Sequence, residues 1–144
     1  MTWSPHVTVA TVVEQDGQFL LVEEHSSEGV VFNQPAGHLD ENESLQQAAV
    51  RETLEETGYH VELTGYCGVT LYTAPSNSVT YVRHTFTAKV LHHDPAATLD
   101  DGIVGPVWMS YDDIATCDRL RSPIVLKTVE QYLQHPSMPL SACY

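Results

Sequence analysis

The segment from about Asn42 to Thr57 constrains this chain more than any other. Asn42 can cap a helix, Glu43 suits the positive N-terminal end, and Gly58 stands where helices usually stop. The sequence on either side of it is strand-like. Val7 to Val13 is almost continuously β-branched and reads as a buried strand. Gln15-Asp16-Gly17-Gln18 reads as a turn, with Phe19 to Val22 returning as the hairpin partner. Val30 to Asn33 is a brief extended piece limited by Pro35. Beyond the helix, Val61 to Thr73 and Val79 to Leu91 form two long strands joined across Pro75-Ser76-Asn77-Ser78. His92 to Gly105 reads as an irregular loop and Val107 to Met109 as a short strand. Ser110 to Asp113 opens a short helix, and Ser122-Pro123 starts a last one. The tail after about residue 135, with Pro136 and Pro139, is expected to be loosely held. Residues 1–144 thus read as one α/β domain without a repeat or linker.

The long helix has an unusual charge distribution. At 100° per residue, Leu45, Ala48, Ala49, Glu52 and Glu56 share one arc, with Glu55 at its edge beside Arg51. Val50 and Leu54 point the other way and are expected to be its buried side. Glu52 and Glu56 lie at a spacing where like charges oppose the helix by a few tenths of a kcal/mol, roughly. Two readings fit. A divalent cation can resolve the repulsion, because hard cations prefer carboxylate oxygens and also bind substrate phosphates. Alternatively, this is a solvated acidic helix end in an acidic protein.

Charge narrows the partners. Nineteen acids against six Lys and Arg give a net charge of −13. Polymeric nucleic acid would be repelled, whereas a small phosphate ligand remains compatible if a divalent metal supplies positive charge. The three cysteines show no CxxC spacing and suit a reduced compartment. No apolar run suits a membrane span.

Gly37 to Tyr59 resembles the Nudix box, G-x5-E-x7-R-E-U-x-E-E-x-G-U. Its seven fixed positions are filled by Gly37, Glu43, Arg51, Glu52, Glu55, Glu56 and Gly58. Thr53 and Tyr59 depart from the usual aliphatic residues, and both departures concern packing. His6 to Ala10, Asn33 to Leu39 and Leu120 to Pro123 extend the likeness to a bacterial phosphatase branch of that family. The resemblance implies a mixed β-sheet sandwiched between α-helices, in a soluble cytoplasmic enzyme, here expected to be a monomer. It implies Mg²⁺, with Mn²⁺ as a substitute. It also implies release of orthophosphate from nucleoside di- and triphosphates and from thiamine or hydroxymethylpyrimidine diphosphate. A housecleaning pyrophosphohydrolase releasing pyrophosphate shares the same box, and a nucleotide-binding sensor without turnover is the non-enzyme alternative.

By the same resemblance Glu52 and Glu56 are the principal metal ligands, with the Gly37 carbonyl joining from its loop. Glu55 is a further ligand or the residue that activates water; Arg51 orients the carboxylates, and Glu43 is its ionic partner. Asp100 and Asp101 are candidates for an additional loop acid, against the reading of ordinary surface aspartates. Arg83, Arg121 and Tyr72 are candidates for substrate binding. The alternatives are a cross-strand ion pair for Arg83, the same ambiguity for Arg121, and a core position for Tyr72. Tyr81 and Phe86 carry the same choice between stacking and core, and His38, inside the box, is a candidate neighbour of phosphate at a position where the resemblance does not require histidine.

Overall fold

Among the described residues, seven strands make one sheet in the order β3 (Gly29–Asn33), β2 (Gln18–Ser26), β1 (His6–Gln15), β6 (Thr80–His93) and β5 (Tyr59–Thr73), with β4 (Ala36–His38) added to β1 and β7 (Ile103–Ser110) to β2. The structure, a computed structural model, describes residues 2–144. β1 (His6–Gln15) turns into β2 (Gln18–Ser26) through Asp16 and Gly17, with φ of 53° and 78°. Positive φ at both positions is the tight hairpin turn whose twist matches that of its strands. β2 then pairs antiparallel with β3 (Gly29–Asn33). The short stretch after Pro35 holds a further strand, β4 (Ala36–His38), which pairs with Thr8, Val9 and Ala10 of β1.

Helix α1 (Leu45–Thr57) starts later than the residue pattern suggested. Its N-cap is Ser44, in a reciprocal capping box with Gln47, rather than Asn42. Asn42 takes a left-handed turn conformation, φ 63°, ahead of the helix. The stop is where expected: Gly58 is left-handed and its N–H reaches the Leu54 carbonyl.

The buried face of α1 is the reverse of the one expected. Ala48, Ala49, Thr53, Glu56 and Thr57 are buried, whereas Val50 and Leu54 border a shallow apolar groove with Leu63. Small residues let the helix axis approach the sheet closely, and that approach brings the carboxylates onto β4. Thr53 shows the fit. Fully buried, its Oγ1 donates to the Ala49 carbonyl and meets Thr11 Oγ1 at 2.8 Å, so the hydroxyl that replaces an aliphatic side chain is satisfied.

β5 (Tyr59–Thr73) and β6 (Thr80–His93) form the long hairpin, and β6 runs parallel to β1. Tyr59, the second departure from the box, accepts from Trp108 Nε1 at 3.0 Å and stacks on His93. β7 (Ile103–Ser110) is longer than expected, because Ile103 to Pro106 continues the ladder on β2. α2 (Tyr111–Ala115) and α3 (Pro123–Gln134) start at Ser110 and Ser122, which cap them.

Alternate residues of β1 serve opposite layers. Val9 packs with Ala48, Ala49, Tyr66 and Phe86 under α1, while Val12 packs with Phe19, Leu21, Val125 and Val129 under α3. The sheet is therefore sandwiched between helices. The tail is bonded rather than loose: Met138 exchanges backbone hydrogen bonds with Tyr66, and Gln46 donates to the Cys143 carbonyl. Leu140 and Cys143 cover the Val9–Phe86 cluster, which recovers apolar burial for a segment marked by two prolines.

Candidate active site

β4 and α1 meet along Gly37 and Glu52. A Cβ on residue 37 would overlap the Glu52 carboxyl group, so glycine is what admits this carboxylate to the strand. One residue earlier, the Ala36 N–H donates to Glu56 Oε1 at 2.8 Å. The short strand thus receives one glutamate from each of two successive turns of α1.

Arg51 organises what lies around them. Its Nε and Nη2 donate to the two oxygens of Glu43 at 2.6 and 2.9 Å, a bidentate pairing. Nη1 donates to Glu52 Oε1 at 2.8 Å and to Glu55 Oε2 at 3.1 Å, and Nη2 also reaches the His38 carbonyl at 3.1 Å. Arg51 consequently ties the loop before the helix, β4 and two helical carboxylates into one unit. The Glu43 pairing lowers the Glu43 pKa and raises that of the guanidinium still further.

One arginine does not neutralise the group. Glu52, Glu55 and Asp100 each bring a carboxylate oxygen to within 4.8 Å of the others. Asp100 is held there by its own N–H, which donates to the Glu55 carbonyl at 3.0 Å. Burial raises the Glu52 pKa against the pull of Arg51, and the charges of Glu55 and Asp100 add to the rise. Glu56 is more extreme. Burial pushes it up to about 9, opposed by the Ala36 N–H and reinforced by the charges of Glu52, Glu24 and Asp100. A cluster of hard oxygen donors with too little positive charge suits a divalent cation.

Of the two loop candidates, Asp100 joins the carboxylates and Asp101 stays exposed outside the trio. Glu56 lies behind the trio, next to Ala36. Arg83 is buried beneath α3 and donates to Thr128 Oγ1, Asn33 Oδ1 and Gln34 Oε1 at 3.3, 3.2 and 3.0 Å. These are neutral oxygens, so it is not the cross-strand ion pair considered from sequence. Its burial lowers its pKa to about 10, and the nearby Glu56 charge opposes that shift. Arg121 pairs with Glu24 at 2.9 Å. Tyr72 is half-buried opposite Tyr81, and Phe86 is fully buried in the core.

Glu24 had no role in the sequence analysis. It is one of two adjacent acids in β2, and only the strand register brings its charge near Glu56 and Arg121. A cavity of about 310 Å³ opens between α3 and the β5–β6 hairpin, bordered by Thr70, Thr85, Lys127 and Thr128.

Comparisons with known proteins agree with this geometry. Residues 4–129 match the NUDIX domain family. The chain is 36% identical over 138 residues to the protein named Phosphatase NudJ in Escherichia coli K12 and in Shigella flexneri, covering 96% of this chain and 90% of the relative. Among solved structures, a NUDIX hydrolase from Nitrosomonas europaea is 43% identical with a TM-score of 0.94, over 98% of this chain and 97% of that one. A MutT NUDIX hydrolase from Burkholderia pseudomallei, at 23% identity and TM-score 0.77, covers 90% of this chain and 99% of its own, and shares the fold. With the box carboxylates gathered at one end of α1 and the match running across most of its length, this chain belongs to the Nudix hydrolase family.

Proposed function

We propose that this hydrolase cleaves phosphoanhydride bonds with Mg²⁺, or Mn²⁺ in its place, and releases orthophosphate. Its substrates are nucleoside di- and triphosphates and the diphosphates of thiamine or hydroxymethylpyrimidine. The observation that carries the reading is the convergence of Glu52, Glu55 and Asp100 beside the buried Glu56, with Arg51 as their shared organiser. The likeness to the NudJ phosphatases supports orthophosphate as the product.

Glu52, Glu56, Glu55 and Asp100 would hold the divalent cation, with the Gly37 carbonyl beside them. When bound, that cation neutralises phosphate oxygens and eases ionisation of an attacking water. The chain's own residues divide the remaining work. Glu43 keeps Arg51 fixed, and Arg51 keeps Glu52 and Glu55 from splaying apart. The Glu55 side chain is 38% exposed whereas that of Glu52 is 12% exposed, so Glu55 is the better placed to take a proton from water. Arg121, half exposed and held by Glu24, is available to a distal phosphate, while the N-cap of α3 lies next to it. Arg83 acts from beneath by fixing Gln34 and Asn33. Tyr72 lies on the sheet face that would receive the organic part of the substrate.

This reading includes a cytoplasmic monomer that acts on small molecules, with no nucleic-acid polymer or membrane as partner. Among the described residues, no helix is long and apolar enough to cross a membrane. Product analysis with purified protein and Mg²⁺ tests the reaction. Orthophosphate from ADP and from thiamine diphosphate is the expected result. Pyrophosphate from nucleoside triphosphates, with diphosphates untouched, would replace it with the housecleaning activity. Nucleotide binding without turnover would replace it with the sensor.

A further inference from the structure

The sheet carries a second group of chemically capable side chains that neither the core nor the carboxylates use. Across β4, β1 and β6, His38 is opposite Thr8 and Thr8 is opposite Arg83. Two residues along, His6 is opposite Tyr81, which in turn is opposite Tyr72 of β5. Register partners point to the same face. His38, His6, Tyr81 and Tyr72 therefore surround the buried Arg83 on the face away from α1.

Three of these rings are fixed against one another. His6 Nδ1 and His38 Nε2 are 3.1 Å apart. The Tyr81 ring lies edge-to-face with both, at centroid distances of 5.7 Å to His6 and 6.2 Å to His38. Tyr81 Oη accepts from Asn77 Nδ2 at 3.0 Å, which orients the phenol. His6 and His38 are exposed and Tyr81 is half-buried, so the trio has been ordered without being covered. Its place matters as well. His38 follows Gly37 directly, and its carbonyl accepts from Arg51, so the rings stand one peptide from the carboxylate group.

We infer that His6, His38 and Tyr81 form the wall that recognises the heterocycle of the diphosphate substrate. Chemistry favours a planar ring bearing nitrogen atoms. A neutral imidazole has one donor and one acceptor nitrogen. When one imidazole donates to the other, the pair keeps one donor and one acceptor, on His6 Nε2 and His38 Nδ1. When both rings take their other tautomer, so that His38 Nε2–H donates to His6 Nδ1 and the outer proton stands on His6 Nε2 instead of His38 Nδ1, the two roles are exchanged. Aminopyrimidine, purine and pyrimidine bases all present a donor beside an acceptor, in either order, so a wall of this type accepts several of them. Tyr81 adds a face or edge for stacking. Five of the six Lys and Arg side chains already have partners, and Lys127 borders the cavity beside α3. Arg51, Lys89 and Arg121 face carboxylates, Arg83 is buried among neutral oxygens, and Arg119 lies over Phe32. Recognition by planar rings suits an enzyme whose cation supplies the charge for the phosphates.

The inference rests on the hydrolase reading above, and two measurements separate their fates. The first is steady-state hydrolysis of ADP and thiamine diphosphate by wild type, His6→Ala, Tyr81→Leu and Tyr81→Phe. The expected result is a KM raised about fivefold or more in His6→Ala and Tyr81→Leu, with kcat within about twofold and Tyr81→Phe near wild type. Unchanged KM in both variants, or a fall in kcat at constant KM, overturns the wall. The second is titration of the wild-type protein with adenosine and with thiamine, neither of which carries phosphate, followed by imidazole proton NMR. Signals assigned to His6 and His38 through His6→Gln and His38→Gln should shift. If wild type hydrolyses no diphosphate yet these signals move, the hydrolase reading falls and the wall stands. If they stay fixed, the wall is overturned whatever the turnover.

Discussion

Gly37 and Glu52 are packed so closely that any β-carbon at position 37 would overlap the Glu52 carboxyl group. The obstructed atoms are the far end of a flexible side chain rather than backbone, so Gly37→Ala is expected to fold. The carboxylate, however, must leave its place against β4. Metal-dependent turnover should fall at least about tenfold, the cost typical of misplacing a positioned catalytic group, with Tm within a few degrees of wild type. Wild-type kinetics in a folded Gly37→Ala would show that the position of Glu52 is immaterial.

Arg51 makes donor bonds in several directions at once, to Glu43, Glu52, Glu55 and the His38 carbonyl. A lysine has the charge but lacks the planar fork that serves Glu43 bidentately. Arg51→Lys should lower kcat at least about tenfold and reduce stability by roughly 1–3 kcal/mol, the range for hydrogen bonds to charged groups. Denaturant unfolding and Mg²⁺-dependent kinetics read the two effects separately. A variant unchanged in both would mean that Arg51 does not organise the cluster.

What could be read from sequence was what depends on neighbours in the chain. Gly58 marks the helix end because a left-handed cap is a local requirement, and Ser122-Pro123 marks the start of α3 for the same reason. Asn42 and Ser44 both have capping side chains, and the reciprocal bonds of Ser44 with Gln47 three residues on make Ser44 the cap of α1. Val50 and Leu54 read as the inward side because they are the large apolar residues opposite the carboxylate arc. Close approach to the sheet selected the alanines instead, a consequence of packing that residue type does not reveal. The box placed Glu52, Glu55 and Glu56 on one helix end, but Asp100 and Glu24 reach them through a loop and a strand register. The tail was read from its prolines, whereas Met138 is secured through backbone bonds to Tyr66.

Asp100 and Asp101 provide an internal comparison. They are adjacent and of equal charge, yet only Asp100 places an oxygen with those of Glu52 and Glu55. Asp100→Asn should weaken Mg²⁺ activation about tenfold or more, as loss of a carboxylate near a metal site does, while Asp101→Asn should leave the Mg²⁺ dependence unchanged. Titrating activity against Mg²⁺ concentration distinguishes the two. Equal effects from both substitutions would reduce the role of Asp100 to general negative charge.

Glu56 links the site to stability. Its pKa is raised from 4.5 to about 9 in the folded, metal-free protein, chiefly by burial. Between those values the folded chain holds a proton that the unfolded chain has released. The contribution to stability is therefore complete below 4.5 and is lost as pH rises toward about 9. The slope for one such group is about 1.4 kcal/mol per pH unit. The raised pKa of Glu52 acts in the same direction, whereas the lowered pKa of Glu43 stabilises above its ordinary value and is lost only in more acid solution. Chelator-treated protein should thus lose Tm steadily from pH 5 to pH 9. Glu56→Gln removes the ionisable group while its amide oxygen can still accept from Ala36, so its profile should be flatter and its Tm at pH 9 higher. The same substitution should abolish most Mg²⁺-dependent turnover and most of the thermal stabilisation by Mg²⁺ at high pH. Parallel Tm profiles for wild type and Glu56→Gln would mean that Glu56 is not the group whose burial strains the metal-free fold.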